Sequence, residues 1–156
     1  MKIKWLIIDG HNLLHKQPDL VSLMNKSQEQ ARTALIRLIE PIATRIASQT
    51  TVVFDGQERG SDPTLSTKQI DVLYAPAQLT ADGLIERLVI QSREPQTICV
   101  VTSDRLEQQT VSSAGAQIQS AEDFLRQQNR SYGTTYSTRM RPGQKPKLGD
   151  IFPDGL

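Results

Sequence analysis

The sequence predicts an α/β fold, a parallel central sheet with helices on both faces in a Rossmann-like three-layer arrangement. Three observations carry this. Short, continuously apolar runs recur at Leu6-Ile7-Ile8, Val52-Val53-Phe54 and Cys99-Val100-Val101, as strands buried on both faces do. Segments with helical apolar spacing lie between them. Each apolar run then leads into an aspartate: Asp9, Asp55 and, two residues further on, Asp104. Two packed antiparallel sheets would not accommodate the helical segments.

The elements follow in order. Ile3 to Ile8 reads as a buried strand. Ser27 and Gln30 have capping-box spacing, and after them Ala31, Ala34, Leu35, Leu38, Ile39, Ile42 and Ile46 mark one helix face. Pro41 should kink or break that helix, because proline lacks the N–H and crowds the carbonyl four residues back. Thr51 to Phe54 and Ile70 to Tyr74 are the next strands. Thr80 suits the N-cap of a helix whose apolar face is Leu84, Ile85, Leu88 and Val89. Thr97 to Val101 is a fourth strand. A helix from about Arg105, a short strand near Gln117–Ile118 and a helix from Ala121 to about Gln128 complete the body. Charge divides the chain. Residues 1–130 carry a net charge of −1 and residues 131–156 one of +2, from Arg139, Arg141, Lys145 and Lys147 against Asp150 and Asp154. That second stretch contains Pro142, Pro146 and Pro153 and no apolar period, so the expected organisation is a domain over 1–130 and a basic tail over 131–156.

Composition excludes several classes. The chain has 156 residues and a formal net charge of +1, so no strong global field draws it to nucleic acid or a membrane. Its one cysteine, Cys99, allows no internal disulfide and argues against a cysteine-based zinc site. No apolar run approaches the roughly 20 residues of a membrane span, and the run at Trp5–Ile8 is too short for a signal peptide. A protein of the cytoplasm is the expectation. There is no Gly-rich phosphate loop and no nucleophile elbow. His11 and His15 lack the His-Glu-x-x-His pattern. No feature sets an oligomeric state.

The strand-end acids are the informative feature. In a parallel sheet all strand C-termini share one edge, and ligands bind where the strand order reverses. Asp9, Asp55 and Asp104, distant in sequence, are therefore expected near one another. Asp82 lies in the first turn of the helix after Thr80, and Glu86 follows on the same helix face. An aspartate after a strand also serves as a cap or turn former, Asp82 also complements a helix dipole, and Glu86 also suits an ion pair; these alternatives stay open for each residue taken alone. Together, converging carboxylates repel one another, and a divalent cation is the natural compensation. Oxygen ligands without cysteine or paired histidine favour Mg²⁺ or Mn²⁺. Asn12 suits either a turn or a hydrogen bond to Asp9.

Four segments, Ile7-Ile8-Asp9-Gly10-His11-Asn12, Val52-Val53-Phe54-Asp55-Gly56, Ala81-Asp82-Gly83-Leu84-Ile85-Glu86 and Val100-Val101-Thr102-Ser103-Asp104-Arg105, resemble in order the YacP-like branch of the NYN ribonucleases, within the PIN-like nuclease fold. The similarity continues to Ser120-Ala121-Glu122-Asp123-Phe124 and covers about residues 1–126. The resemblance implies a metal-dependent endoribonuclease with its metal-binding acids at Asp9, Asp82 and Asp104 and polar positions at Asn12 and Ser103. It implies RNA as partner; with few aromatics to stack bases, backbone recognition is expected, with sequence choice supplied by the ribosome or another partner. His11 stands where many members have tyrosine, and Gly83 loosens the turn that holds Asp82 by about 1 kcal/mol relative to alanine. On that reading Glu86 supports the metal site and Asp55 orders its edge. Arg59 and Lys68, in the polar segment Gly56–Gln69, and Arg105, beside Asp104, are the expected RNA contacts. Two other classes compete: a non-catalytic RNA-binding adaptor on a degenerate nuclease fold, and a phosphoacceptor of the response-regulator kind. The latter needs a lysine after a late strand, where this chain has Ser120 and Ala121.

Overall fold

The computed structural model describes residues 3–56, 65–76 and 78–136. In chain order they form β1 (Ile3–Asp9), α1 (Gly10–His15), α2 (Pro18–Lys26), α3 (Gln28–Ile46), β2 (Ala47–Phe54), β3 (Ile70–Tyr74), α4 (Ala81–Gln91), a 3-10 turn (Pro95–Thr97), β4 (Ile98–Val101), α5 (Arg105–Ser113), β5 (Gln117–Gln119) and α6 (Ala121–Tyr136). The sheet is five-stranded and wholly parallel, in the order β3-β2-β1-β4-β5. The chain builds outward from β1 to β3, then crosses back to lay β4 on the other side of β1. The strand order therefore reverses between β1 and β4. Contacts divide the chain after Phe124, and the sheet and every acid discussed below lie in the first unit, Met1–Phe124.

Apolar content explains the positions of the strands. Leu6, Ile7 and Ile8 in β1 and Val100 and Val101 in β4 have no exposed surface, because helices cover both sides. Ile7, Val53 and Val100 pack with Ala81, Ile85 and Val89 of α4 and Val111 of α5. On the opposite face Val52 and Phe54 lie against Gly10, the first residue of α1. The outer strand β5 is short and polar, which protects an open sheet edge from pairing.

Three expectations change. The segment between β1 and Ser27 holds two helices that the sequence did not announce. α1 buries only Leu13, Leu14 and its glycine, and α2 only Leu20, too few repeats to show a period. α3 passes through Pro41 without ending. Pro41 and Arg37 four residues earlier are both exposed, so the carbonyl that proline leaves without a donor faces water. α6 continues past Gln128 to Tyr136, into the stretch read as tail; a nucleated helix propagates without needing an apolar stripe. The rest of that stretch, 137–156, lies outside the described residues. Among the described residues no helix is long and apolar enough to cross a membrane.

Candidate metal centre

The site is assembled from the starts of three helices at the C-terminal edge of the sheet. β1 ends at Asp9, which is also the N-cap of α1: its Oδ1 accepts the Asn12 N–H at 3.2 Å. β2 ends one residue before Asp55, whose Oδ1 accepts the Ala81 N–H at 2.6 Å. That bond, with the Thr80 hydroxyl accepting the Gly83 N–H at 3.0 Å, fixes the first turn of α4 and so the place of Asp82. Beyond β4, Asp104 caps α5, its Oδ1 accepting the N–H groups of Leu106 at 3.0 Å and Glu107 at 3.3 Å.

The carboxylates that converge are those of Asp9, Asp82 and Glu107. One oxygen from each lies within 4.8 Å of the others. Glu107 was not among the residues singled out from the sequence. It is the third residue of α5 and shares that helix's inner face with Val111, one turn on. It is 1 % exposed, and neither of its side-chain oxygens has a hydrogen-bond partner at normal geometry. Burial first, then the negative charge of Asp9, pushes its pKa up to about 9. Burial likewise raises Asp9 to about 6, against the lowering effect of Glu107 and the Asn12 N–H. Asp82 is raised too, by burial and then by the charge of Asp104. Asp104 thus adjoins the group through Asp82 while its own oxygen is engaged in capping α5.

These donors fit a divalent cation. All are carboxylate oxygens, two of the three residues are buried, and none has a lysine or arginine partner among the described residues, where the ion pairs are Lys4–Glu94 and Lys16–Glu122. Oxygen donors of this kind suit a hard divalent cation.

The sequence profile of the YacP-like NYN domain matches residues 6–150. The chain belongs to the YacP-like NYN domain family. This is a nuclease-like, RNA-related family, and the match runs beyond the motifs that end at Phe124. The YacP protein of Bacillus subtilis strain 168 is 32 % identical over 124 residues, covering 78 % of this chain and 73 % of the relative. A crystal structure of Rae1 (YacP) from Bacillus subtilis superposes with a TM-score of 0.67 at 30 % identity, over 86 % of this chain and 78 % of that one. A second, of a single-residue variant of that protein, gives 0.69 at 28 % identity, over 85 % and 79 %.

The remaining sequence-derived residues of this NYN domain fall in different places. The Asn12 side chain accepts the Ser103 N–H at 2.9 Å, tying α1 to the loop before Asp104. The Ser103 hydroxyl donates to Glu122 and accepts the Ala121 N–H at 2.9 Å. Glu122 also pairs with Lys16 at 3.2 Å, and the Ser103 hydroxyl, with Lys16, holds its pKa down at about 2. Glu86, one turn after Asp82, is not part of the converging group. Arg105 is exposed and lines a shallow hollow with Gln108, Gln109, Ser112 and Ile118 on the α5–β5 flank. Lys68 is exposed two residues before β3 begins. In a parallel sheet that is the edge opposite the acids, because Lys68 precedes the N-terminal end of β3. Arg59 lies outside the described residues. Cys99 is buried and its thiol is pushed up to about 11 by burial, which suits core filling rather than nucleophilic work.

Proposed function

We propose that this chain is a metal-dependent endoribonuclease that hydrolyses RNA phosphodiester bonds, acting in the cytoplasm, with RNA presented by the ribosome as a candidate substrate. The observation that carries this reading is the convergence of Asp9, Asp82 and Glu107, two of them buried and with one oxygen from each within 4.8 Å of the others, at the sheet edge where α/β folds bind ligands. Membership of a nuclease-like family supplies the reaction class.

Asp9, Asp82 and Glu107 would hold Mg²⁺ or Mn²⁺, with Asp104 beside them to bind through water or to shape Asp82. Bound there, the cation would neutralise phosphate oxygens, sharpen a water for attack and ease the departure of the leaving oxygen. The chain's own work is positional. The Asn12 N–H fixes Asp9, Asp55 fixes the turn that presents Asp82, and Asp104 fixes the turn that presents Glu107. Burial of Asp9 and Glu107 would strengthen their hold on a cation, for which Glu107 would give up the proton that burial retains on it.

The test is cleavage of a mixed RNA pool with Mg²⁺, with Mn²⁺ and with a chelator, repeated on ribosome-bound mRNA. Cleavage that requires the cation is expected. No cleavage with either cation on either substrate overturns the reading and leaves the non-catalytic RNA-binding alternative.

A further inference from the structure

An arginine at the same sheet edge takes no part in the acid group. Phe54 and Tyr74 are the last residues of β2 and β3 and are paired in register. Their rings lie 5.8 Å apart, centroid to centroid. The guanidinium carbon of Arg32, on the second turn of α3, stands 5.8 Å from the Phe54 centroid and 5.6 Å from that of Tyr74. The Phe54 ring also presses on Gly10, the residue after Asp9: a Cβ there would come within 2.5 Å of Phe54 Cε1. Arg32 is therefore one aromatic ring away from the backbone that carries Asp9, and Phe54 is followed directly by Asp55.

The described residues do not neutralise this guanidinium: no carboxylate among them pairs with it. Its Nη1 donates to the Gln28 side-chain oxygen at 3.3 Å, a neutral group. Its Nε is buried without a partner among the described residues, and the side chain rests on the two rings. Attraction to the ring faces fixes the plane of the guanidinium without engaging its N–H donors. A cation that no described carboxylate neutralises, at the edge that carries the acids, is what a polyanionic strand needs in order to approach them, and the planar fork matches a phosphate.

We propose that Arg32, seated on the Phe54–Tyr74 platform, binds a backbone phosphodiester of the RNA next to the one cleaved at the acid group; this rests on the endoribonuclease reading. It is a substrate-positioning residue and touches neither the metal nor the scissile bond.

The test compares the parent with Arg32→Met, which keeps apolar bulk over the rings, Arg32→Gln, which keeps a planar head, and Arg32→Lys, which keeps the charge. Cleavage of a single-stranded RNA oligonucleotide is followed with Mn²⁺, binding of the same RNA is followed with Ca²⁺ across salt concentrations, and each variant is melted. For Met and Gln the expected KM is roughly tenfold higher, the equivalent of one charge-assisted hydrogen bond, with kcat little changed. Their log–log salt dependence of binding should be shallower by about 0.7, the loss of one phosphate contact on a single strand, and Lys should restore that slope. A purely structural arginine would instead lower Tm and leave KM and the salt slope at parent values. If the parent cleaves and the neutral variants keep its KM and slope, the phosphate-binding role is overturned and the nuclease reading stands. If the parent neither binds nor cleaves RNA, the nuclease reading falls and this role falls with it.

Discussion

Glu107 places a carboxyl group on the buried face of α5, with neither oxygen hydrogen-bonded at normal geometry. Its folded-state pKa of about 9 stands above its ordinary 4.5. Between those values the folded chain holds more protons than the unfolded one, so stability is greatest at the low end and falls as pH rises through the window. Asp9, raised from 3.8 to about 6, adds the same slope lower down. The metal-free protein should therefore melt at progressively lower temperature as pH rises through this range. Glu107→Gln should flatten the slope and raise stability at the alkaline end, because the amide has no charge to desolvate or to repel Asp9. Mn²⁺ should raise the parent's Tm more near the top of the window than near the bottom, because cation and protons compete for the same oxygens, and should do little for Glu107→Gln. Thermal melts across pH with and without Mn²⁺ check all three; a parent whose Tm rises with pH contradicts the assignment. Glu107 was hidden in the sequence because Asp104-Arg105-Leu106-Glu107 has capping-box spacing, in which the glutamate normally turns back to the cap N–H. Here the Thr102 hydroxyl takes the Asp104 N–H at 3.1 Å, and Glu107 is free to turn inward. The signal that could have found it is its spacing from Val111, which puts an acid on an apolar helix face.

At the scale of elements, the site is three helix starts, each with an aspartate on its first free N–H groups. That arrangement makes Asp104 a structural residue as much as a charged one. Asp104→Ala should cost about 1 kcal/mol as a lost cap and displace Glu107, lowering the affinity for Mn²⁺. Asp104→Asn keeps a capping oxygen and should retain parent-like stability. Melting curves and Mn²⁺ titrations of the two variants separate the roles; equal stability in both would show that the cap is not what Asp104 supplies. The starts of α4 and α5 were legible because Thr80 and Asp104 are cap residues ahead of apolar or acidic turns. α1 was not, since the aspartate that caps it reads equally as a strand end, and six residues cannot display a helical period.

At the scale of the molecule, the strand-end rule placed Asp9, Asp55 and Asp104 on one edge without knowledge of strand order, because a parallel sheet has a single C-terminal edge. Lys68, read as part of a polar segment beside the C-terminal end of β2, lies instead just before the N-terminal end of β3. Beyond α6, we propose that residues 137–156 add positive charge for RNA or ribosome association; deleting them should leave Tm nearly unchanged and weaken binding to RNA, and a large fall in Tm would show packed structure instead. The decisive variants are Asp9→Asn and Asp82→Asn. Asparagine keeps the shape and one carbonyl oxygen, so at position 9 it can still accept the Asn12 N–H that starts α1. It removes the charge that attracts the cation and, in the same step, relieves repulsion among Asp9, Asp82 and Glu107, whose raised pKa values record that cost. Each variant should lose most RNA cleavage while its metal-free Tm holds or rises. A structural aspartate would behave in the opposite way, losing stability first and activity only in proportion to unfolding. Cleavage assays over Mg²⁺ and Mn²⁺ concentrations, paired with melts of the same preparations, distinguish the two, and parent-like cleavage by both variants would overturn the metal-centre assignment. Raising Mn²⁺ should restore part of the activity of Asp82→Asn before that of Asp9→Asn, because Asp82 is only half-buried where Asp9 is 5 % exposed, and water can replace a missing ligand at the open side of the site but not at its floor.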